Sequence, residues 1–284
     1  MSDKKVVLIT GASSGIGRTT AEYLCGKGYR VYGAARRVND MQEIQRKGGE
    51  ALFLDITDEE NIQSIVSRIM DCEGRIDVLW NNAGFGLYGA IEDVSLDDAR
   101  RLFETNLFGL SRLSQEVLPH MRKNRSGLII STSSVSGVIS CPLSAWYEAT
   151  KHALEAWSNS LSMEVSQYNI NVSTVVSGFF DTDIWHSARG DVVQRTQSSS
   201  YKALYEFVIA QTDKAFSQCK NNKACSTMVM AKMIEKIIND PKPRRTYYTG
   251  YMAKRMVLLY KVLGFHLFKA MILSQTNKNS HNDK

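Results

Sequence analysis

The chain has no CxxC pair and no cysteine–histidine cluster at zinc-ligand spacing. Its five cysteines, Cys25, Cys72, Cys141, Cys219 and Cys225, are scattered and odd in number. A zinc-built domain and a disulfide-stapled secreted scaffold are thereby set aside, and reduced thiols in a cytoplasmic setting are expected. The five histidines form no ligand pair, so no metal site is expected. The net charge of +6 is not gathered into basic runs interleaved with aromatics, which argues against nucleic acid as a partner. Met1-Ser-Asp-Lys-Lys5 runs straight into a strand-like segment, without the apolar stretch and cleavage site of a secretory leader. No repeat or low-complexity linker divides the chain, and one domain over 1–284 is expected.

What is present is an alternation of short β-branched runs with longer segments of helical period. This is the pattern of repeated βαβ units, and it predicts an α/β fold: a Rossmann-type, doubly wound parallel sheet of about seven strands. Strands are expected at Val6–Thr10, Arg30–Ala34, Ala51–Leu54, Ile76–Trp80, Gly127–Ser131, Asn171–Val176 and Arg245–Tyr248. Helices are expected near Ile16–Lys27, Asp58–Cys72, Leu96–Lys123 and Ala145–Tyr168. Thr57-Asp-Glu-Glu60 and Ser95-Leu-Asp-Asp98 read as capping boxes. The alternation breaks over 178–224, where aromatics mix with polar residues. A long irregular segment there suits a substrate lid.

The first strand ends in Thr10-Gly-Ala-Ser-Ser-Gly-Ile-Gly17 and passes at once into a helix. Glycines let the backbone turn and approach a pyrophosphate, and the helix N-terminus offers unpaired N–H groups. Gly11, Ser13, Ser14, Gly15, Ile16 and Gly17 are therefore expected to hold a dinucleotide. A carboxylate at the end of the second strand would favour a free ribose 2′-hydroxyl. The chain instead has Gly33-Ala-Ala-Arg-Arg37. Two guanidinium groups suit a phosphate, so NADP(H) is favoured over NAD(H), with Arg36 the first candidate and Arg37 or Arg18 in support.

Tyr147-Glu-Ala-Thr-Lys151 places a phenol and an ammonium one helical turn apart. A nearby cation favours the phenolate and brings a tyrosine toward working range. With Asp55, Asn81-Asn-Ala-Gly84, Asn106 and Ser134 in order between the glycine loop and this pair, residues 5 to 250 resemble the short-chain dehydrogenase/reductase family, in its compact single-domain form. The resemblance implies that Tyr147 is the general acid/base and that Lys151 holds the nicotinamide ribose and lowers the tyrosine pKa. It implies that Ser134, rather than Ser133, bonds the reacting oxygen, and that Asn106 anchors a proton-relaying water. Asn82, Ala83 and Gly84 would line the cofactor, with Ile56, Gly178 and Thr182. Asp55 would bind adenine, or simply end its strand. The family's common Pro-Gly after the sixth strand is Ser177-Gly178 here, which leaves that loop's path open.

Apolar segments expected around the tyrosine include Phe85, Leu87, Tyr88, Val138, Ile139, Phe179, Phe180 and Trp185. Such walls favour a lipophilic ketone, aldehyde or secondary alcohol, with Phe85 and Phe179 as substrate contacts beside Ser134 and Tyr147. The family resemblance also implies a homodimer or homotetramer. Residues 252–274 form an apolar C-terminal helical extension interrupted by Lys261, His266 and Lys269, so a membrane-spanning helix is not expected. Covering the pocket or packing in a subunit interface ranks above lying on a membrane. Two other readings of function stand beside the oxidoreductase: a nucleotide-binding regulatory protein, and a non-redox epimerase or dehydratase.

Overall fold

The structure, a computed structural model, describes residues 4–220 and 222–280. In chain order the elements are β1 (Val6–Thr10), α1 (Gly15–Gly26), β2 (Arg30–Ala35), α2 (Gln42–Arg46), β3 (Glu50–Phe53), α3 (Glu59–Glu73) and β4 (Val78–Asn81). There follow α4 (Leu96–Phe103), α5 (Gly109–Asn124), β5 (Gly127–Ser134), α6 (Ala145–Val165), β6 (Ile170–Ser177), α7 (Ile184–Thr196), α8 (Lys202–Cys219), α9 (Thr227–Asn239), β7 (Thr246–Thr249) and α10 (Ala253–Ser280). The seven strands form one sheet in the order β3-β2-β1-β4-β5-β6-β7, and every named pair is parallel.

All five residues of β1 are buried, as a parallel strand covered on both faces requires. Side chains alternate across it. Val6 and Leu8 enter one core layer with Ile62 and Ile65 of α3 and Leu113 and Val117 of α5. Val7 and Ile9 enter the other, with Ala21 and Leu24 of α1 and Ile234 and Ile237 of α9.

Four local expectations are corrected. The cap of α3 is Asp58, whose carboxylate accepts from Asn61 N–H at 3.1 Å. Thr57 is instead drawn onto Asp55, which accepts from both its N–H and its hydroxyl; the second box is as expected, Ser95 accepting from Asp98 N–H at 3.0 Å. The helix expected over 96–123 is two α-segments joined by a wider π turn, Glu104–Phe108. The segment 178–224 is not irregular, since α7 and α8 pack together through Trp185, Val192 and Tyr205. Finally, Cys219 and Cys225 are joined as a disulfide, because a turn after α8 brings their Cα atoms to 5.3 Å. Cys25, Cys72 and Cys141 are free.

Candidate active site

The chain leaves β1 and β4 toward opposite edges of the sheet, which opens a crevice at their C-terminal ends. Thr10, the last residue of β1, closes its base: its hydroxyl accepts from the N–H groups of Asn82 and Ala83, each at 3.0 Å, and lies 3.4 Å from Trp80 O. Asn82 spans the gap by donating to Thr10 O at 3.0 Å and accepting from Thr132 Oγ1 at 3.2 Å. Gly11 turns at φ +70°, and a Cβ on Gly17 would lie 2.2 Å from Gly11 O. Helix α1 therefore starts as close to β1 as a helix can.

The helix carries no acid in its first turn, and the Ser14 side chain does not cap it. Its leading amides and positive dipole end thus suit an anion. Ser13 is buried, Gly15 and Ile16 are half-buried and Ser14 is exposed. Arg36 and Arg37 follow β2 and are exposed, and Arg37 pairs with Asp40 at 2.8 Å. Bonds from Thr57, with a smaller contribution from Arg36, hold the Asp55 carboxyl below its ordinary range. Its neighbour Ile56 is buried. These residues fit a dinucleotide laid across the crevice.

Helix α6 brings the reacting groups to the same edge. Tyr147 and Lys151 are both buried, one turn apart. Burial pushes the phenol up to about 12, while a hydrogen bond with Ser134 pulls the other way. Burial draws the ammonium down to about 8, with Glu155 opposing. The expected lowering of the tyrosine by the lysine is not what this geometry gives. Lys151 Nζ donates to Thr132 O at 2.9 Å and lies 5.7 Å from the phenol ring centre, so desolvation outweighs it. Ser134 ends β5, and its Oγ also accepts from Ser136 N–H at 3.2 Å. Asn106, in the π turn, is fully buried and clamps Phe85, accepting from its N–H at 3.1 Å and donating to its C=O at 3.0 Å. A Cβ on Gly84 would meet Asn106 Oδ1 at 3.0 Å and Lys151 Nζ at 3.9 Å. Asn106, Gly84 and Lys151 thus share one wall.

The serine in place of proline after β6 has a local role. Ser177 Oγ donates to Ser133 O at 2.8 Å, and Gly178 N–H bonds Thr249 O. Phe179 then pairs with Tyr251 in an isolated antiparallel bridge. The chain folds back so that the Thr182 methyl lies 3.3 Å from where a Gly15 Cβ would stand. Aromatic rings form a chain away from the phenol: Tyr147 to Tyr88 at 5.8 Å, Tyr88 to Trp185 at 5.7 Å, Trp185 to Phe216 at 6.4 Å and Phe216 to Phe179 at 5.5 Å. Phe85 packs beside Tyr147 in a neighbouring apolar cluster. The C-terminal extension rests on Val135, Val138 and Ile139, the loop after Ser134.

Sequence reasoning missed Glu148. It is buried beside Tyr147 and accepts from Cys141 N–H at 2.7 Å, and burial raises its pKa to about 7. A carboxylate adjoining the tyrosine of the Tyr147–Lys151 pair was the available signal.

A strand-to-glycine crevice flanked by a serine, a tyrosine and a lysine on one parallel sheet defines a class of dehydrogenase, and comparison agrees. The short chain dehydrogenase family matches residues 5–192, and the chain belongs to that family. It is an oxidoreductase acting on CH–OH groups. Among curated relatives, a 3-ketodihydrosphingosine reductase of Bacteroides thetaiotaomicron is 39% identical over 178 residues, which span 63% of this chain and 65% of the relative. A short-chain dehydrogenase from Streptomyces avermitilis superposes with a TM-score of 0.79 at 29% identity over the whole of both chains. An actinorhodin polyketide ketoreductase variant solved with NADPH superposes at 0.75 and 25% identity, over 88% of this chain and 97% of that one.

Proposed function

We propose that this enzyme exchanges a hydride between NADP(H) and a lipophilic ketone or aldehyde, or the corresponding secondary alcohol, with Tyr147 as general acid and base. The observation that carries this reading is one buried phenol set between the Ser134 hydroxyl and the Lys151 ammonium at the mouth of the glycine crevice. In reduction, Tyr147 Oη gives its proton to the carbonyl oxygen as the new C–H bond forms, and Ser134 Oγ–H donates to the same oxygen as charge develops. In oxidation the alcohol proton returns to Tyr147. A phenol pushed up to about 12 is fully protonated at neutral pH, the state that reduction needs. When bound, the nicotinamide supplies or accepts the hydride. Lys151 spends one N–H on Thr132 O and keeps two for the nicotinamide ribose and for a proton path past Asn106.

The phosphorylated cofactor is supported by the exposed Arg36 at the end of β2, where the chain carries no acid to repel a 2′-phosphate, with Arg37 beside it paired to Asp40. The lipophilic substrate is supported by the aromatic chain from Tyr88 to Phe179. The Bacteroides relative, named as a reductase of a 3-keto dihydrosphingosine, is in keeping with a hydrophobic ketone. The test is a panel of hydrophobic ketones and aldehydes run in parallel with NADPH and NADH, following the cofactor's absorbance. Turnover with NADPH that disappears in Tyr147→Phe is expected. Full activity in that variant would remove the assigned mechanism.

A further inference from the structure

We propose that the outer face of α10 lies on the surface of an anionic lipid bilayer, in the plane of the headgroups. The residues of its first half divide cleanly. At about 100° per residue, Ala253, Met256, Val257, Tyr260 and Leu263 fall on the side that packs against Val135, Ile139 and Val176. Lys254, Arg255, Leu258, Leu259, Lys261 and Val262 fall on the other, and all six are exposed. Val262 is 74% exposed and Leu258 59%. Past Gly264 the apolar exposure continues through Phe265 and Leu267, the latter at 61%. Only 11% of the most apolar stretch of 253–274 is buried. So large an unpartnered patch marks an interaction site.

Its length and composition are those of a spanning helix, but its backbone is not. Gly264 sits at φ 66°, ψ 172°, outside helical geometry, and folds the element so that the Tyr260 and Phe268 rings meet at 5.2 Å. The piece before the break is about 17 Å long at 1.5 Å per residue, about half the hydrocarbon thickness. Its inner face is already committed to the protein core. An element of this kind can lie in the interface but cannot cross it.

Charge chooses the occupant. Over residues 253–274 of α10 the charged residues are Lys254, Arg255, Lys261 and Lys269, with no aspartate or glutamate. Leucine, valine and phenylalanine set among lysine and arginine suit acyl chains beneath anionic headgroups, with the long cationic side chains reaching up to the phosphates. A second copy of the chain suits the face poorly, because two-fold pairing would set the cations Lys254, Arg255 and Lys261 of one copy among the same cations of the other, with no acid on the face to receive them. Because the inner face rests on the loop after Ser134, the bilayer would hold the enzyme beside a source of lipophilic carbonyl. That last point rests on the proposed substrate; the surface itself does not.

The full-length protein is to be sedimented with vesicles of phosphatidylcholine alone and of phosphatidylcholine with phosphatidylserine, at low and at high salt. Binding several-fold stronger to the anionic vesicles, weakening with salt, is expected. Val262→Asp with Leu267→Asp should abolish binding, and Lys254→Glu with Arg255→Glu should weaken it roughly tenfold or more. Both pairs should keep the wild-type molar mass by light scattering and its turnover of a water-soluble carbonyl. No binding above the vesicle-free control, or undiminished binding by the Asp pair, overturns the proposal. So does a fall in molar mass in the Asp pair, which would assign the face to a second copy. Vesicle binding without turnover of any carbonyl would leave the membrane face standing and remove the substrate reading.

Discussion

The Lys151 ammonium is held by the carbonyl of Thr132 at 2.9 Å, so strand β5 fixes the distance between the lysine and the Tyr147 ring. Under the proposed mechanism the two residues act as a unit whose members fail differently. Tyr147→Phe keeps the ring and loses the proton, and kcat should fall by roughly 10²–10⁴ with cofactor affinity within about threefold of wild type. Lys151→Met should lower kcat and weaken cofactor binding together. Single-turnover kinetics and a cofactor titration by fluorescence separate the two.

Glu148 makes stability depend on pH. Its folded pKa of about 7 stands above the ordinary carboxylate range because of burial. Between the unfolded and folded values the native state binds the extra proton, and this contribution is lost as pH rises toward and through 7. Glu148→Gln keeps an oxygen for the Cys141 N–H and removes the ionisation. Thermal melts should show the variant gaining on wild type between pH 5 and pH 8, by up to about 3 kcal/mol. An equal offset at both values contradicts this.

Arg36→Ala tests the cofactor reading. Losing a charge-assisted contact to a 2′-phosphate should raise KM for NADPH by about ten- to a hundredfold and leave KM for NADH within about threefold. Equal losses with both cofactors would place Arg36 in a structural role.

Gly17→Ala tests the closeness of α1 to β1. Its Cβ would stand 2.2 Å from the Gly11 carbonyl and 2.7 Å from Asn82 Nδ2, and neither atom can withdraw without moving the crevice. Cofactor binding should be lost or reduced more than a hundredfold. The melting temperature should also fall by several degrees.

The sheet was legible because each strand is a short β-branched run and because both faces are covered, which leaves a continuous apolar signature. Tyr147 and Lys151 were legible as a pair because helical spacing sets them one turn apart, while Ser134 was reached only through the family resemblance. The lid was not. Trp185, Val192 and Tyr205 make a helix pair only once α7 and α8 meet, and no local period announces that. The disulfide was equally hidden, because Cys219 and Cys225 depend on a turn whose path the residues between them do not declare. The height of the Tyr147 pKa is a tertiary property: spacing reveals the neighbouring cation, while burial comes from Leu87, Val94 and Leu102 packed around the ring.

Thr10 joins the two halves of the sheet with a single hydroxyl that takes the amides of both Asn82 and Ala83. The seam is therefore a fixed gauge, set by backbone groups and the side chains of Thr10, Asn82 and Thr132. Under the proposed function, Tyr88, Trp185 and Phe216 lie outside this seam, so exchanging them to admit a different carbonyl would leave the width of the gap unchanged. On that reading, new specificity can accumulate on α7 and α8 without each step having to re-align the chemistry.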